Sequence, residues 1–176
     1  MHKKGGNTDF NKNENLDLNV AVIVSSDSVS SGKKEDKAGK IIASKLNTLG
    51  LDVSDYTIVP DEIEKLQNTV LQFCEKNKDL VIITGGTGLS PRDTTPEAII
   101  PMLDRRIPGI EEAIRSYGQE RTPYAMLSRS VVGFKGDTLI MALPGSTSGA
   151  SESIDAVFPS VLHLFKIIKG FNHDKK

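Results

Sequence analysis

The sequence is poor in the residues that build disulfide frameworks and transition-metal sites. Its 176 residues include one cysteine, Cys74, and three widely separated histidines, His2, His163 and His173. A single cysteine excludes a disulfide within the chain and favours a reducing compartment. None of the histidines has ligand-like spacing to another histidine, a cysteine or a carboxylate, so we expect no transition-metal site. These features predict a cytoplasmic protein.

Long apolar runs and an excess of one charge are also absent. No run approaches the ~20 apolar residues of a membrane-spanning helix, and residues 1–19 lack the apolar core of a signal peptide. The chain has 22 basic and 23 acidic residues, which gives a net charge of −1 at neutral pH. This balance offers no electrostatic footprint for nucleic acid or for an anionic membrane. We therefore predict neither as a partner.

What the chain does contain is a repeated alternation of apolar strand and amphipathic helix. We predict strands at residues 19–24, 52–59, 80–83, 130–134 and 138–143. We predict a helix at 36–49, two helices that begin at 61 and at 95, one that ends at about 120, and a last one that ends at 168 and is interrupted at Pro159. Residues 17–170 are expected to form one domain, with tails at 1–16 and 171–176. The β-α-β-α-β order predicts an α/β fold with three α/β/α layers, a mainly parallel central sheet and a short β-hairpin near the C-terminal third.

The stretch 80–97 combines a buried strand, a glycine turn and a helix start. The β-branched run at 80–83 predicts a strand buried on both faces, and Gly85, Gly86 and Gly88 let the backbone approach an anion closely. Thr95-Pro96 fits an N-cap followed by the first helical residue, whereas Thr94 with Glu97 offers the capping box one residue earlier. A strand, a glycine turn and a helix N-terminus in succession favour a phosphate site.

Polar side chains follow two other predicted strands. Asp27 and Asp61 lie at the carboxyl ends of these strands, where open parallel sheets bind ligands. The turn Pro144-Gly145-Ser146 repeats the strand, glycine and helix arrangement. Two such turns are suited to bind two anionic groups, which belong either to one substrate or to two different substrates.

Structural interpretations stand beside these functional ones. A glycine turn at 85–88 is also typical of a plain strand-to-helix connection, and Asp27 fits ordinary turn chemistry. Asp61 with glutamate three residues later is typical of a helix cap, which is the favoured interpretation of Asp61 taken alone. Arg92 and Asp93 fit a surface ion pair or a cap, but their position after the glycine turn favours phosphate and Mg²⁺ chemistry. Lys33-Lys34 is typical of solvated charge.

The run 85–97, Gly-Gly-Thr-Gly-Leu-Ser-Pro-Arg-Asp-Thr-Thr-Pro-Glu, resembles the signature of the molybdenum cofactor biosynthesis family of MogA, MoaB and the plant and animal G domains. Supporting similarities span 20–169: Ser26-Asp27-Ser28 with Asp36-x-x-Gly39, Val59-Pro-Asp61, Ile107-Pro-Gly109, Leu127-Ser-Arg129 and Leu143-Pro-Gly-Ser146. The Pro91-Arg92-Asp93 motif, which some MoaB proteins lack, is retained here. The turn after Leu143 is more similar to MoaB than to MogA.

The resemblance implies an adenylyltransferase that moves AMP from Mg-ATP to molybdopterin. It implies catalytic and Mg²⁺-binding roles for Asp27, Asp61 and Asp93. It implies ligand-binding roles for Ser28, Thr84, Gly85, Gly86, Thr87, Gly88, Arg92, Thr94, Pro96, Glu97, Ser128, Arg129, Pro144, Gly145 and Ser146. Among these, the glycines would cradle nucleotide phosphates, while Ser128, Arg129 and the Gly145-Ser146 turn would contact the pterin phosphate or neighbouring groups.

The resemblance also implies a homo-oligomer, either a trimer or a hexamer built as a dimer of trimers. Other proteins of molybdenum cofactor biosynthesis are expected partners. The alternative is that the protein is a catalytically silent paralogue, which binds molybdopterin or a nucleotide and acts as a carrier or as a regulatory module.

Overall fold

A computed structural model describes residues 16–168 and contains a six-stranded sheet. The strands are β1 (Val20–Ser25), β2 (Val53–Val59), β3 (Leu80–Thr84), β4 (Arg105–Arg106), β5 (Val131–Lys135) and β6 (Thr138–Leu143). Their spatial order is β2-β1-β3-β6-β5-β4. The first four strands in this order run parallel to one another, while β5 is antiparallel to β6 and β4 is antiparallel to β5. The sheet is therefore mainly parallel, as predicted.

Seven α-helices lie in the described part of the chain. They are α1 (Asp27–Ser30), α2 (Ala38–Thr48), α3 (Ile63–Glu75), α4 (Thr95–Ile99), α5 (Pro108–Gln119), α6 (Thr147–Val157) and α7 (His163–Ile168). Short 3₁₀ segments lie at Ile100–Met102, Pro123–Leu127 and Ser160–Leu162. No helix within 16–168 is long and apolar enough to cross a membrane.

Two apolar cores cover the two faces of the sheet. In β1, Val20 and Val22 belong to one core while Ala21 and Ile23 belong to the other, because successive strand residues point to opposite faces. Helices α2, α5, α6 and α7 contribute to the first core, and α3 and α4 contribute to the second. This arrangement confirms the three-layer α/β/α prediction and explains why the central strands read as unbroken apolar runs.

The predicted strands and helices form, but some begin or end at other residues, and two short elements were not predicted. The predicted hairpin forms between β5 and β6, and the last helix is interrupted around Pro159 before α7 begins. The helix after Asp61 begins at Ile63, and the sequence did not predict α1 or β4. Leu16, assigned to the N-terminal tail, packs against the first core. The other residues of both predicted tails lie outside the described residues.

Candidate active site

The carboxyl ends of four parallel strands meet at one edge of the sheet. In spatial order, β2 is followed by Asp61, β1 by Asp27, β3 by the Gly85–Gly88 turn, and β6 by the Pro144–Ser146 turn. The chain places β2 on one side of β1 and β3 on the other, so the strand order reverses at β1. A crevice opens at such a switch point because the connections diverge to opposite faces.

A cleft of about 210 Å³ lies at this edge. Both glycine turns and two of the three predicted carboxylates line it: Gly85, Gly86, Gly145, Ser146, Asp61 and Asp93. The predicted convergence of separate sequence motifs is therefore observed for these residues. The lining therefore combines the backbone of the two turns with charged side chains, among them Asp61, Asp93 and Lys34.

Two reciprocal hydrogen bonds join Asp27 and Asp61, each from the backbone N–H of one residue to the carboxylate of the other; we call this pair of bonds the backbone clasp. The N–H of Asp27 donates to Asp61 Oδ2 at 3.0 Å, and the N–H of Asp61 donates to Asp27 Oδ1 at 3.0 Å. Ser25 Oγ donates to Asp61 Oδ1 at 3.0 Å. The N-cap of α3 is Glu62, which makes no side-chain cap hydrogen bond. The helix-cap interpretation of Asp61 is therefore wrong, since its carboxylate joins the ends of β1 and β2.

Arg92 reaches across the strand ends to Asp27. Its Nε donates to Asp27 Oδ2 at 2.8 Å and its Nη2 donates to Asp27 Oδ1 at 3.0 Å, which is a bidentate pair. This hydrogen bonding, followed by the bond from the Asp61 N–H, lowers the pKa of Asp27 below its ordinary value of 3.8. Both side chains of the pair are well exposed. Neither residue belongs to the lining of the cleft, so the pair lies beside it.

The two glycine turns pack directly against each other. Gly85 and Gly86 adopt φ values of 107° and 67°, a region that favours glycine because it carries no Cβ. A Cβ added to Gly145 would lie 2.9 Å from the Cα of Gly85. Thr84 Oγ1 donates to the carbonyl of Pro144 at 2.7 Å and ties the second turn to the first. The shared wall of the cleft depends on this close backbone approach.

Asp93 closes its own loop while facing the cleft. Its Oδ2 accepts from the N–H of Ser90 at 2.8 Å, and its N–H donates to the carbonyl of Ser90 at 2.8 Å. A Cβ added to Gly88 would lie 2.7 Å from Asp93 Oδ2, so Gly88 makes room for this carboxylate. Gly88 is not among the residues that line the cleft, and its contact with a phosphate stays a prediction.

The three aspartates do not form a preformed metal site. Within residues 16–168, no group of three His, Cys, Asp or Glu side chains is arranged to hold a metal ion. Both oxygens of Asp27 bind Arg92, and both oxygens of Asp61 accept hydrogen bonds. The Mg²⁺ set of three carboxylates therefore stays a prediction. Asp61 and Asp93 still suit Mg²⁺ that arrives with a nucleotide, because Mg²⁺ in phosphate sites uses one or two carboxylates plus phosphates and water.

Arg129 and Glu97 form an ion pair outside the cleft. The hydrogen bond from Arg129 is the largest cause that lowers the pKa of Glu97 below its ordinary value of 4.5. The other guanidinium nitrogens of Arg129 donate to backbone carbonyls of the loop that carries Asp93. The resemblance implied ligand contacts for both residues, but in the structure their side chains are engaged with each other and with this loop.

Four further predicted ligand residues lie outside the cleft lining. Ser28 is in α1, where its Oγ lies 3.2 Å from Ser26 Oγ. Thr87 is buried, Thr94 is the N-cap of α4 without a side-chain cap bond, and Pro96 is buried in the first turn of α4. Ligand contacts of these four residues stay predictions.

Ser128 lines a second, larger pocket that adjoins the cleft. This pocket of about 410 Å³ is shared by Ser128, Pro144 and Ser146 with residues of α5 and α6. Ser146 lines both cavities and is also the N-cap of α6, where its Oγ accepts from the N–H of Gly149 at 3.1 Å. Two ligand spaces therefore meet at the second glycine turn.

Sequence reasoning did not assign several charged residues to the cleft, among them Asp36 and Lys34. Asp36 is 7% exposed, and it accepts hydrogen bonds from the N–H of Gly39 at 2.8 Å and from the hydroxyl of Tyr56. Burial, together with this bond to Asp36, raises the pKa of Tyr56. The Asp-x-x-Gly spacing was the available signal for Asp36. No local pattern distinguishes Lys34 from its solvated neighbour.

A sequence profile of one protein family matches most of this chain. The family is described as "Probable molybdopterin binding domain", and the match covers residues 21–163. The chain is 35% identical over 156 residues to the molybdopterin adenylyltransferase of Helicobacter pylori J99, which covers 87% of this chain and 89% of that protein. It resembles the structure of the enzyme MoaB of Thermus thermophilus with a TM-score of 0.82 and 39% identity, over 87% of this chain and 97% of that one.

Some relatives are considerably longer. The chain is 36% identical over 172 residues to the molybdenum cofactor biosynthesis bifunctional protein of Chlorobaculum tepidum, which covers 98% of this chain but 54% of that protein. The chain therefore spans about half the length of that relative.

Proposed function

The chain belongs to the family of probable molybdopterin binding domains, and from this membership we propose that it transfers AMP from Mg-ATP to the terminal phosphate of molybdopterin. The observation that carries the proposal is the meeting of two glycine turns, from the ends of β3 and β6, around a cleft that Asp61 and Asp93 also line. The name of the Helicobacter pylori relative, molybdopterin adenylyltransferase, supports the same activity.

The proposed reaction needs no nucleophile from the protein. An oxygen of the terminal phosphate of molybdopterin forms a bond to the α-phosphorus of ATP, and the bond from that phosphorus to pyrophosphate breaks. The products are adenylylated molybdopterin and pyrophosphate. Since the attacking oxygen is already anionic, catalysis consists of positioning two polyanions and stabilising their charge.

The residues of this chain suit that task. The turns at Gly85–Gly88 and Pro144–Ser146 bring backbone close to bound phosphates, and the first N–H groups of α6 have no partner within the helix. Lys34 supplies a positive charge at the same cleft. The adjoining pocket at Ser128 and Ser146 has room for the second substrate. The proposal therefore places the nucleotide phosphates at the turns and the pterin substrate across Ser146.

Mg²⁺, when bound with ATP, would neutralise charge on the phosphates. Asp61 and Asp93 would hold it, because both line the cleft, whereas Asp27 pairs with Arg92 beside it. Asp27 contributes by fixing Asp61 through the backbone clasp.

The test is pyrophosphate release by purified protein given ATP, Mg²⁺ and molybdopterin. Wild-type protein is expected to release pyrophosphate only when molybdopterin is present, and Asp93→Asn is expected to remove most of the turnover while the protein stays folded. If the wild-type protein binds molybdopterin but forms no adenylylated product, the enzymatic proposal fails and the carrier alternative stands.

We propose a trimer or a hexamer as the assembly, from the resemblance alone. Sedimentation equilibrium distinguishes these states, and a monomer at micromolar concentration would contradict the proposal.

A further inference from the structure

Arg129 ties together both ends of the loop that follows the first glycine turn. Its backbone N–H donates to the carbonyl of Thr87 at 2.8 Å, its Nε donates to the carbonyl of Gly88 at 2.9 Å, and its Nη2 donates to the carbonyl of Asp93 at 2.7 Å. Its Nη1 pairs with Glu97 in α4. All three guanidinium nitrogens are therefore committed to one segment of the chain, residues 87–97.

The loop between these ends carries two charged side chains of the site. Within the loop, Ser90 and Asp93 exchange hydrogen bonds, so 90–93 forms a closed turn. Arg92 projects from this turn to Asp27, and Asp93 projects into the cleft. The placement of both side chains follows from where the turn is held, and Arg129 holds it at Gly88 and at Asp93.

We propose that Arg129 is a positioning residue that clamps the 88–93 loop so that Asp93 faces the cleft. Its contribution to catalysis rests on the proposed adenylyl transfer, whereas its effect on the loop does not. In this proposal Arg129 acts through Asp93 and Arg92, which the loop carries.

The residue type matches this role. A guanidinium presents several N–H donors in a rigid planar fork, so it serves two carbonyls and a carboxylate that lie in different directions. The ammonium group of lysine keeps the charge but lacks the fork, and it cannot hold Gly88, Asp93 and Glu97 together. Arg129→Lys therefore removes the hydrogen bonds that clamp the loop while it keeps the positive charge.

The first experiment measures amide hydrogen exchange of Ser90 and Asp93 by NMR. In Arg129→Lys and Arg129→Gln, both exchange rates are expected to rise about tenfold or more, because the turn opens once its ends are released. Arg105→Lys is the matched control, since Arg105 lies on edge strand β4 and stacks on Phe134 at 5.3 Å. Exchange rates in Arg129→Gln within twofold of those in Arg105→Lys would overturn the proposal.

A second variant tests which contacts matter. Glu97→Gln removes the ion pair but leaves the bonds from Arg129 to the two loop carbonyls, so it is expected to accelerate exchange less than Arg129→Gln does. An equal effect of the two variants would overturn the assignment of the clamp to those carbonyls.

The second experiment compares steady-state kinetics. Arg129→Lys is expected to lower kcat/KM for ATP by about tenfold to a hundredfold, mainly through kcat, because a small displacement of a positioned group is costly in the transition state. Its free energy of unfolding should match that of Arg105→Lys. If kcat is unchanged in a variant whose loop amides exchange faster, the proposed contribution of Arg129 to catalysis is refuted. If wild-type protein releases no pyrophosphate, the proposed function fails, while the exchange rates still decide whether the clamp exists.

Discussion

Replacement of Gly145 by alanine tests the packing of the two glycine turns. The added methyl would lie 2.9 Å from the Cα of Gly85 and 3.5 Å from its nitrogen. Carbon atoms in ordinary contact lie about 3.5–4.0 Å apart, so the turns must separate by about 0.6 Å. Gly85 cannot rotate away, because the contacting atoms belong to its backbone. Its N–H donates to the carbonyl of Leu143 at 3.1 Å, and its carbonyl accepts from the hydroxyl of Thr95 at 2.8 Å.

Such overpacking typically costs about 1–3 kcal/mol, which is roughly a fivefold to 150-fold change in the folding equilibrium. We expect Gly145→Ala to lower the free energy of unfolding by that amount in urea titrations and to reduce pyrophosphate release. Gly109→Ala is the matched control, since no heavy atom lies within 4 Å of the added methyl. The control should be neutral or up to about 1 kcal/mol more stable. Equal unfolding free energies for the two variants, within about 0.5 kcal/mol, would refute the reasoning.

Three further predictions concern other parts of the site. Asp61→Asn should lower the free energy of unfolding by about 1–3 kcal/mol in urea titrations, because one amide oxygen replaces two acceptors; stability within about 0.5 kcal/mol of wild type would contradict the clasp. Tyr56→Phe should lower it by a similar amount, because the buried Asp36 carboxylate loses a donor; calorimetry with an unchanged melting temperature would be the contrary result. The pKa of Glu97 is lowered in the folded state, so the stabilisation from its pair with Arg129 is present above pH 4.5 and lost as the pH falls below that value. Exchange of the 88–93 amides, corrected for intrinsic rates, should accelerate in that acid range, and the same profile in Glu97→Gln would count against the pair as its cause.

The strands and the mainly parallel sheet were predictable because their signal is local, whereas the spatial order of the strands was not predicted. Unbroken apolar runs such as 80–83 predict strands buried on both faces, and a glycine turn followed by a helix start predicts where each crossover begins. The helix interruption at Pro159 follows from the missing N–H of proline in the same way. β4 escaped prediction because two arginines carry no strand pattern, and pairing with β5 defines the strand.

Part of the cleft lining was predictable from the sequence, but the hydrogen bonds that join its residues were not. Aspartate with glutamate three residues later has the same local pattern whether or not its side chain caps a helix, and the partners of Asp61 are 34 and 36 residues away along the chain. The contacts of Arg129 have no local signal, because its acceptors lie on a loop that only the folded sheet brings beside it. Contacts of this kind depend on the strand order and register.

The central claim is that AMP, and not a single phosphoryl group, moves to molybdopterin. ATP labelled at the α-phosphorus, incubated with Mg²⁺, molybdopterin and wild-type protein, tests it most directly. The account predicts that the label appears in molybdopterin in amounts equal to the pyrophosphate released, and that chelation of Mg²⁺ with EDTA abolishes both. Label that remains in ATP, or that appears only as free AMP or ADP, would contradict it.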